Sequence, residues 1–351
     1  MKYQMTVFAF DKYYYGKQYE IEYNSSMTSV IDAIESYLNT VKLARSENTY
    51  LSYKTALENL QITLGDNGID SSSTETSSLK EDLISWFAHD LKKYAPATEQ
   101  LYITAAKGFI EYLVAEELSE LNLSKVQLLI RQRTRRPGIR LPQFPAEDIS
   151  TLVKHLENLD ISLNKENESE YLRALRDRAF LITLADTGLR IHEACNLKRG
   201  DVDWNEGKAL IIGKGNRQAV VRFSRRSQNA LGKYIRARGK LDGKSGRPLS
   251  SLPIFARHDK GAGKSVKSIT PTTGRNIVAF WVEKILGVEA VGTITPHSFR
   301  HYFVTRVLSA TGNLKLAQNL ARHKNIAVTQ RYAHLSDDEL DKGYWEVFEE
   351  E

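Results

Sequence analysis

The sequence predicts a mainly α-helical chain with one small antiparallel β-sheet, arranged as a helical domain followed by a mixed α+β domain. Three observations carry this prediction. Apolar residues recur at helical spacing over most of the 351 residues. One central stretch, Asp201–Ser224, instead places short apolar runs between turn signals, as strands do. A run rich in arginine and proline, Arg131–Pro145, interrupts the helical pattern and divides the chain. At roughly 100–200 residues per domain, the length also suggests two domains.

The elements follow in order. Residues 1–27 are set apart as an appendage. They are aromatic and β-prone, with Gly16-Lys17 placed like a hairpin turn. Residues 28–130 read as a helical domain of about four helices. Val30, Ile31, Ile34, Tyr37 and Leu38 fall on one helix face, and Tyr50, Tyr53 and Leu57 form a stripe on a helix over Glu47–Leu60 with Ser46 as its N-cap. Gly65–Ser78 is a polar loop, and Leu79–Tyr94 and Thr98–Leu118 are two further helices. Residues 131–145 form a basic linker with three prolines and five arginines. In residues 146–335, helices are expected at Ala146–Leu159, Tyr171–Ala185, Ile191–Leu197, Ser227–Ala237, Thr273–Leu286, Pro296–Ser309 and Asn313–Leu320. Strands are expected around Val202–Trp204, Ala209–Ile212 and Ala219–Phe223. Residues 336–351 form an acidic tail.

Composition narrows the function classes. The chain carries 49 Lys+Arg against 43 Asp+Glu, a net charge of +6. Its distribution says more than its sum. Lys214–Arg247 holds eleven Lys/Arg and one acid, Asp242, and Arg131–Arg140 holds five arginines and no acid. Two such segments beside structured regions suit a phosphate backbone. The last fifteen residues hold eight acids. A single cysteine, Cys195, leaves no internal disulfide and no multi-cysteine metal cluster, and it reads as a packed helix residue. The apolar stretches are too short to span a bilayer and no secretory signal is evident, so a cytoplasmic protein with no membrane partner is expected.

Some motifs fail on inspection. Gly261–Ser265 ends like a phosphate-binding loop, but His258 stands where the first glycine is required. His192-Glu193 begins a zinc motif, but Asn196 replaces its second histidine. No metal site is expected.

Four segments remain. In Asp186–Glu193, Gly188 ends an apolar helix and Arg190 enters the next, with Glu193 three residues on. Gly213–Arg217 is a turn between two strands with Lys214 at its tip. In Thr295–His301, Thr-Pro starts a helix that puts His297 and Arg300 on one face. Leu320–Asn325 holds His323, and Thr329–Tyr332 follows. Each alone is unremarkable: a surface ion pair, a turn lysine, a solvated histidine, one of 17 tyrosines. Together they supply what attack on a phosphodiester needs. Arginines grip the non-bridging oxygens with a fork that stays protonated, a lysine or histidine moves protons, and a tyrosine attacks. Free tyrosine has a pKa of about 10, and nearby cations favour its phenolate.

In these motifs the sequence resembles the tyrosine recombinases, or phage-type integrases, over about Ala146–Leu335: TGLR-x-x-E, the GKG turn, H-x-x-R-H and the late H…Y stand in the family's order. The resemblance implies a helical core DNA-binding domain and a mixed α+β catalytic domain. It implies that Arg190 and Arg300 grip the scissile phosphate and that Lys214 is the general acid for the 5′-hydroxyl. It further implies that His297 assists proton removal, that His323 donates to a phosphate oxygen, and that Glu193 orders Arg190. Tyr332 is then the nucleophile, forming a 3′-phosphotyrosyl bond that conserves the energy of the broken linkage, so no cofactor, ATP or metal is required. Arg131, Arg133, Arg135, Arg136, Arg140 and Arg217 are candidate DNA contacts. The implied partners are double-stranded DNA and three further copies of the chain, a homotetramer on two DNA sites, with a second recombinase or accessory protein as an optional addition. The acidic tail would dock on a neighbouring copy. Two positions depart from the family pattern: Arg322 replaces a glycine before the second histidine, and Phe299 replaces a common leucine. A type IB topoisomerase and a catalytically silent DNA-binding relative remain the alternatives at this level.

Overall fold

The structure is a computed structural model that describes residues 28–135, 145–161, 167–213, 217–262 and 265–330. The chain forms two compact units, Met1–Ile139 and Arg140–Glu351. The appendage at 1–27, Arg136 and Arg140 of the basic run, Lys214, Tyr332 and the acidic tail lie outside the described residues.

The first unit is helical throughout its described part: α1 (Val30–Ala44), α2 (Glu47–Asp66), α3 (Leu83–Asp90), α4 (Pro96–Ala115) and α5 (Leu123–Arg133). Capping residues set the starts. Ser29 accepts from the Asp32 N–H, Ser46 from Thr49 and Asn122 from Lys125, while Pro96 opens α4. The apolar faces meet in one core that includes Ile34, Leu57, Leu60, Phe87, Phe109 and Leu113. Ile31, expected on the buried face of α1, is exposed. Helix α5 is a fifth helix, beyond the four expected, and it carries the unit to Arg133. The stretch read as linker therefore begins as helix. Asn122 starts it, Val126 anchors it in the core, and Arg131 and Arg133 fall in its last turn, where they complement the negative end of the helix dipole.

The second unit is built around α7 (Glu168–Thr187), preceded by α6 (Ala146–Asn158) and followed by α8 (Ile191–Asn196). Nearly every residue of α7 from Leu172 onward is buried. It packs against α9 (Arg225–Ala237) and, further on, α12 (Pro296–Thr311). Between α8 and α9 run β1 (Val202–Asp203), β2 (Lys208–Gly213) and β3 (Arg217–Arg222), an antiparallel sheet in the order β1-β2-β3. Its register pairs Ala209 with Val221 and Ile211 with Ala219, which puts Ala209, Ile211 and Val221 on the core face and leaves Leu210, Ile212 and Val220 exposed. The short α10 (Gly239–Gly243) is a helix beyond those expected from the sequence. Then come α11 (Pro271–Leu286), α12, α13 (Leu314–Ala321) and the short α14 (Ile326–Gln330).

A buried polar knot fixes α7 and α9 to the loop between α10 and α11. The fully buried Arg238 donates to the Ile254 and Pro253 carbonyls and pairs with Asp242. The Tyr234 hydroxyl accepts from Arg238 and from the Ala256 N–H, so its own proton goes to His258 Nε2 at 2.7 Å. That bond needs a neutral imidazole. Burial first, then the charges of Arg176 and Arg238, push His258 down to about 3. The folded chain thus resists a proton that the unfolded chain takes up near 6.5. Stability is full above that value and falls as the pH drops from about 6.5 toward about 3. His258→Gln, which can still accept from Tyr234, is expected to flatten the dependence of thermal midpoint on pH in this window. An unchanged slope would exclude His258 as a contributor.

Candidate active site

The site is assembled at the ends of three helices in the second unit. The first is the end of α7. Gly188 closes that helix in the left-handed conformation, φ 58° and ψ 25°. The turn is also crowded: a Cβ at this position would lie 2.5 Å from Cδ1 of Phe303. Gly188→Ala combines overpacking with an unfavourable φ and is expected to destabilise the chain by about 2–4 kcal/mol, measurable by denaturant unfolding. A loss under about 1 kcal/mol would mean that Phe303 moves aside freely.

Two residues on, Arg190 is the N-cap of α8, and its side chain is more than a third exposed, 37%. Glu193 holds it twice: Oε2 accepts from the Arg190 backbone N–H at 2.8 Å, and Oε1 from Nη1 at 2.9 Å. This is no surface pair, because the Glu193 side chain is 1% exposed. Burial pushes its carboxyl up, but the Arg190 backbone N–H, the Arg322 charge and the Arg190 side chain outweigh that and hold it below its ordinary range.

The second end is the start of α12. Thr295 and Ser298 form the capping box and Pro296 takes the first turn. His297 is exposed at this end, whereas Arg300, one turn on, is only 3% exposed. Arg300 donates from Nη1 to the Gly188 carbonyl at 2.5 Å and from Nη2 to the Ala321 carbonyl. One guanidinium therefore ties together the ends of α7, α12 and α13. His297 and His301 meet edge to face, with centroids 4.3 Å apart.

The third end is that of α13. His323 follows it, with Nδ1 sharing a 2.9 Å hydrogen bond with the buried Thr329 hydroxyl, while Gln318 donates to the His323 carbonyl. Arg322, between α13 and His323, is in the left-handed region at φ 58°, a conformation in which glycine is at home. Its guanidinium reaches Glu193 Oε2 at 3.3 Å and the Gly188 carbonyl at 3.2 Å.

The electrostatics are consistent across the cluster. Partial desolvation of a ring still open to solvent, then Arg300 and Arg190, lower His297, and burial with the same two charges brings His323 down to about 4. His301 is lowered to about 4 by burial, His297 and Arg300. At neutral pH the site thus holds uncharged imidazoles, able to accept protons, among permanent cations. That is a receptor for an oxyanion with proton acceptors at its edge. Among the described residues no group of three His, Cys, Asp or Glu is arranged to hold a metal ion. Cys195 is fully buried and burial pushes its thiol up to about 12, so it is no nucleophile.

Of the residues singled out in the sequence, Arg190, Glu193, His297, Arg300 and His323 come together. Lys214 lies outside the described residues, between the paired Gly213 and Arg217, and Tyr332 lies two residues beyond α14. Arg217 takes its place in β3. Arg135, one of the candidate DNA contacts, is partly exposed and is also engaged within its own unit. Its Nε pairs with the fully buried Glu99 at 2.5 Å and its Nη2 donates to the Tyr94 carbonyl, because a buried carboxylate must be matched by cations, here Arg135 and Lys92. Sequence reasoning missed His301 and the bridging contacts of Arg322. The left-handed turn required before His323 was the available signal for the latter.

No helix among the described residues is long and apolar enough to cross a membrane. The chain matches the model of the phage integrase family over residues 145–339. It is 26% identical over 317 residues to the tyrosine recombinase XerD of Brucella melitensis, covering 88% of this chain and 94% of that protein. It is 28% identical over 315 residues to the tyrosine recombinase XerC of Staphylococcus aureus, with the same coverage. The structure superposes on that of the Tn1549 transposon integrase in complex with a circular intermediate DNA with a TM-score of 0.61, at 19% identity, covering 92% of this chain and 100% of that one. With the family model spanning more than half of its length and the arginine–histidine cluster lying inside the matched region, the chain belongs to the phage integrase family, the tyrosine recombinases.

Proposed function

We propose that this chain is a site-specific DNA recombinase that cuts and rejoins duplex DNA through a phosphotyrosyl intermediate on Tyr332. The observation that carries the reading is the Gly188 turn, around which Arg190 and Arg300 are fixed with His297 and His323 beside them. In the reaction, the Tyr332 oxygen attacks the scissile phosphorus and its proton passes to His297. The bond from phosphorus to the 5′-oxygen breaks, and Lys214 protonates the departing oxygen. Arg190 and Arg300 neutralise the two non-bridging oxygens, whose charge grows in the transition state, and His323, uncharged, donates a hydrogen bond to one of them. The tyrosyl ester keeps the energy of the broken diester, so a 5′-hydroxyl of a second strand reverses the sequence and reseals the DNA without ATP or metal.

Each copy offers one nucleophile, and exchanging both strands of two duplexes cuts four strands. A homotetramer on two DNA sites meets that requirement, in the cytoplasm, with or without a second recombinase or accessory protein. Arg131, Arg133, Arg136, Arg140 and Arg217 are assigned to the phosphate backbone, which makes affinity strongly salt-dependent. Arg135 belongs with this set, held in place by its pair with Glu99.

The test is a nicked duplex that loses its 5′-hydroxyl fragment after cleavage and so traps the intermediate. Fragmented genomic DNA is nicked, incubated with the protein in EDTA, and the attached residue and sequence are read out. An adduct on Tyr332 at one short inverted repeat supports the reading. Adducts scattered over unrelated sequences would point to a topoisomerase, and salt-sensitive binding with no adduct would overturn the proposed chemistry.

A further inference from the structure

The αL position that closes α13 is filled by an arginine. Other helices of the catalytic unit end on glycine in this conformation: Gly188 after α7 and Gly312 after α12, at φ 58° and 60°. Arg322 adopts φ 58° and ψ 42° with a Cβ in place, a conformation L residues disfavour. The side chain is not spilling into solvent, since it is 11% exposed. Its contacts are specific. Nη2 lies 3.3 Å from Glu193 Oε2 and 3.2 Å from the Gly188 carbonyl oxygen, and Nη1 donates to the Leu320 carbonyl at 3.2 Å. Those first two acceptors are the groups that fix the phosphate-binding arginines: Glu193 holds Arg190, and the Gly188 carbonyl holds Arg300.

Charge arithmetic gives the contact a purpose. Glu193 is buried and ionised, and in a water-poor site its negative charge cancels much of what Arg190 offers to a phosphodiester. A second cation on the same carboxylate oxygen offsets that charge and leaves Arg190 with a net attraction for the substrate. We propose that Arg322 is a positioning residue that neutralises Glu193 and braces the Gly188 turn, so that Arg190 and Arg300 meet the scissile phosphate with undiminished positive charge. The inference rests on the proposed phosphodiester chemistry and deepens it. Arg322 acts through Glu193 and Gly188 and is not itself assigned a contact with the DNA.

The experiment compares the native chain with Arg322→Gly, Arg322→Lys, Glu193→Gln and the double variant Arg322→Gly/Glu193→Gln on the nicked trapping substrate. Glycine suits the backbone here, so Arg322→Gly is expected to fold with a thermal midpoint near the native value. At saturating DNA its rate of adduct formation should fall by between about tenfold and a hundredfold, with duplex affinity changed by less than about twofold. Arg322→Lys, which keeps the charge, should lie between the two. In the Glu193→Gln background there is no carboxylate to neutralise, and removing Arg322 should cost little more. A native rate in Arg322→Gly, an Arg322→Lys no faster than the glycine variant, or an equal loss with and without the Glu193 charge would each overturn the proposal. Failure of the native chain to form any adduct would instead refute the recombinase chemistry, so the two failures are distinguishable.

Discussion

Tyr332→Phe is expected to bind duplex DNA within about twofold of the native affinity and to form no covalent adduct, because the substitution removes only the atom that makes the new bond to phosphorus. The ring remains, and with it whatever packing it provides; the phosphate contacts of the arginines are untouched. The segment leading to this residue is well anchored. Thr329 is fully buried and bonded to His323, so the end of α14 is fixed to one of the histidines of the site. In the proposed reaction the cations that receive the phosphate would also favour the phenolate, whose free pKa of about 10 otherwise leaves it protonated at neutral pH. The measurement is the trapped adduct on nicked duplex beside a binding titration at two salt concentrations. An adduct surviving in Tyr332→Phe would move the nucleophile to another tyrosine, Tyr344 being the first to test.

Much of the site was legible because its determinants are local. Gly188 announces the end of α7, Thr295-Pro296 the start of α12, and Ser46 the start of α2; each signal acts within one helical turn. The three strands follow from alternation over a few residues. What escaped the sequence depends on partners far along the chain. Helix α5 carries Leu123, Val126, Leu128, Leu129 and Ile130, but only Val126 is fully buried and Leu128 is exposed, and the apolar run passes straight into Arg131 and Arg133, so no clear boundary separates the helix from the basic linker. Arg135 looks like one more cation in a basic run until Glu99, 36 positions away, is found beneath it. Arg322 appears as a mere departure from a family pattern. Its value comes from Glu193, 129 residues earlier, and from a backbone turn that no periodicity records. The helical face of α1 shows the same limit on a small scale, since Ile31 fits the apolar pattern but faces out.

Arg300→Ala should lower the rate of adduct formation by about 10²–10³ at saturating DNA, the cost of removing a charge-assisted donor from a transition state. It should also lower stability, and the two effects have one origin. Arg300 is almost wholly buried and supplies hydrogen bonds to the Gly188 and Ala321 carbonyls. Alanine removes the donor to the Ala321 carbonyl and leaves the Gly188 carbonyl only the longer bond from Arg322, at about 1–3 kcal/mol for a buried group left unsatisfied. Arg300→Lys separates the two roles. It keeps a positive charge near the phosphate but replaces the planar fork with a single ammonium, which cannot hold the ends of α7 and α13 with the geometry arginine uses. Its stability should therefore lie nearer the native value than that of the alanine variant, while its cleavage rate remains at least about tenfold below native. The decisive comparison sets cleavage rates against unfolding free energies for the three proteins. If Arg300→Lys cleaved at the native rate, charge alone would account for the role of Arg300. If Arg300→Ala lost less than about tenfold while still folded, Arg300 would be a strut between helices and the phosphate would be held by Arg190 and His323 without it.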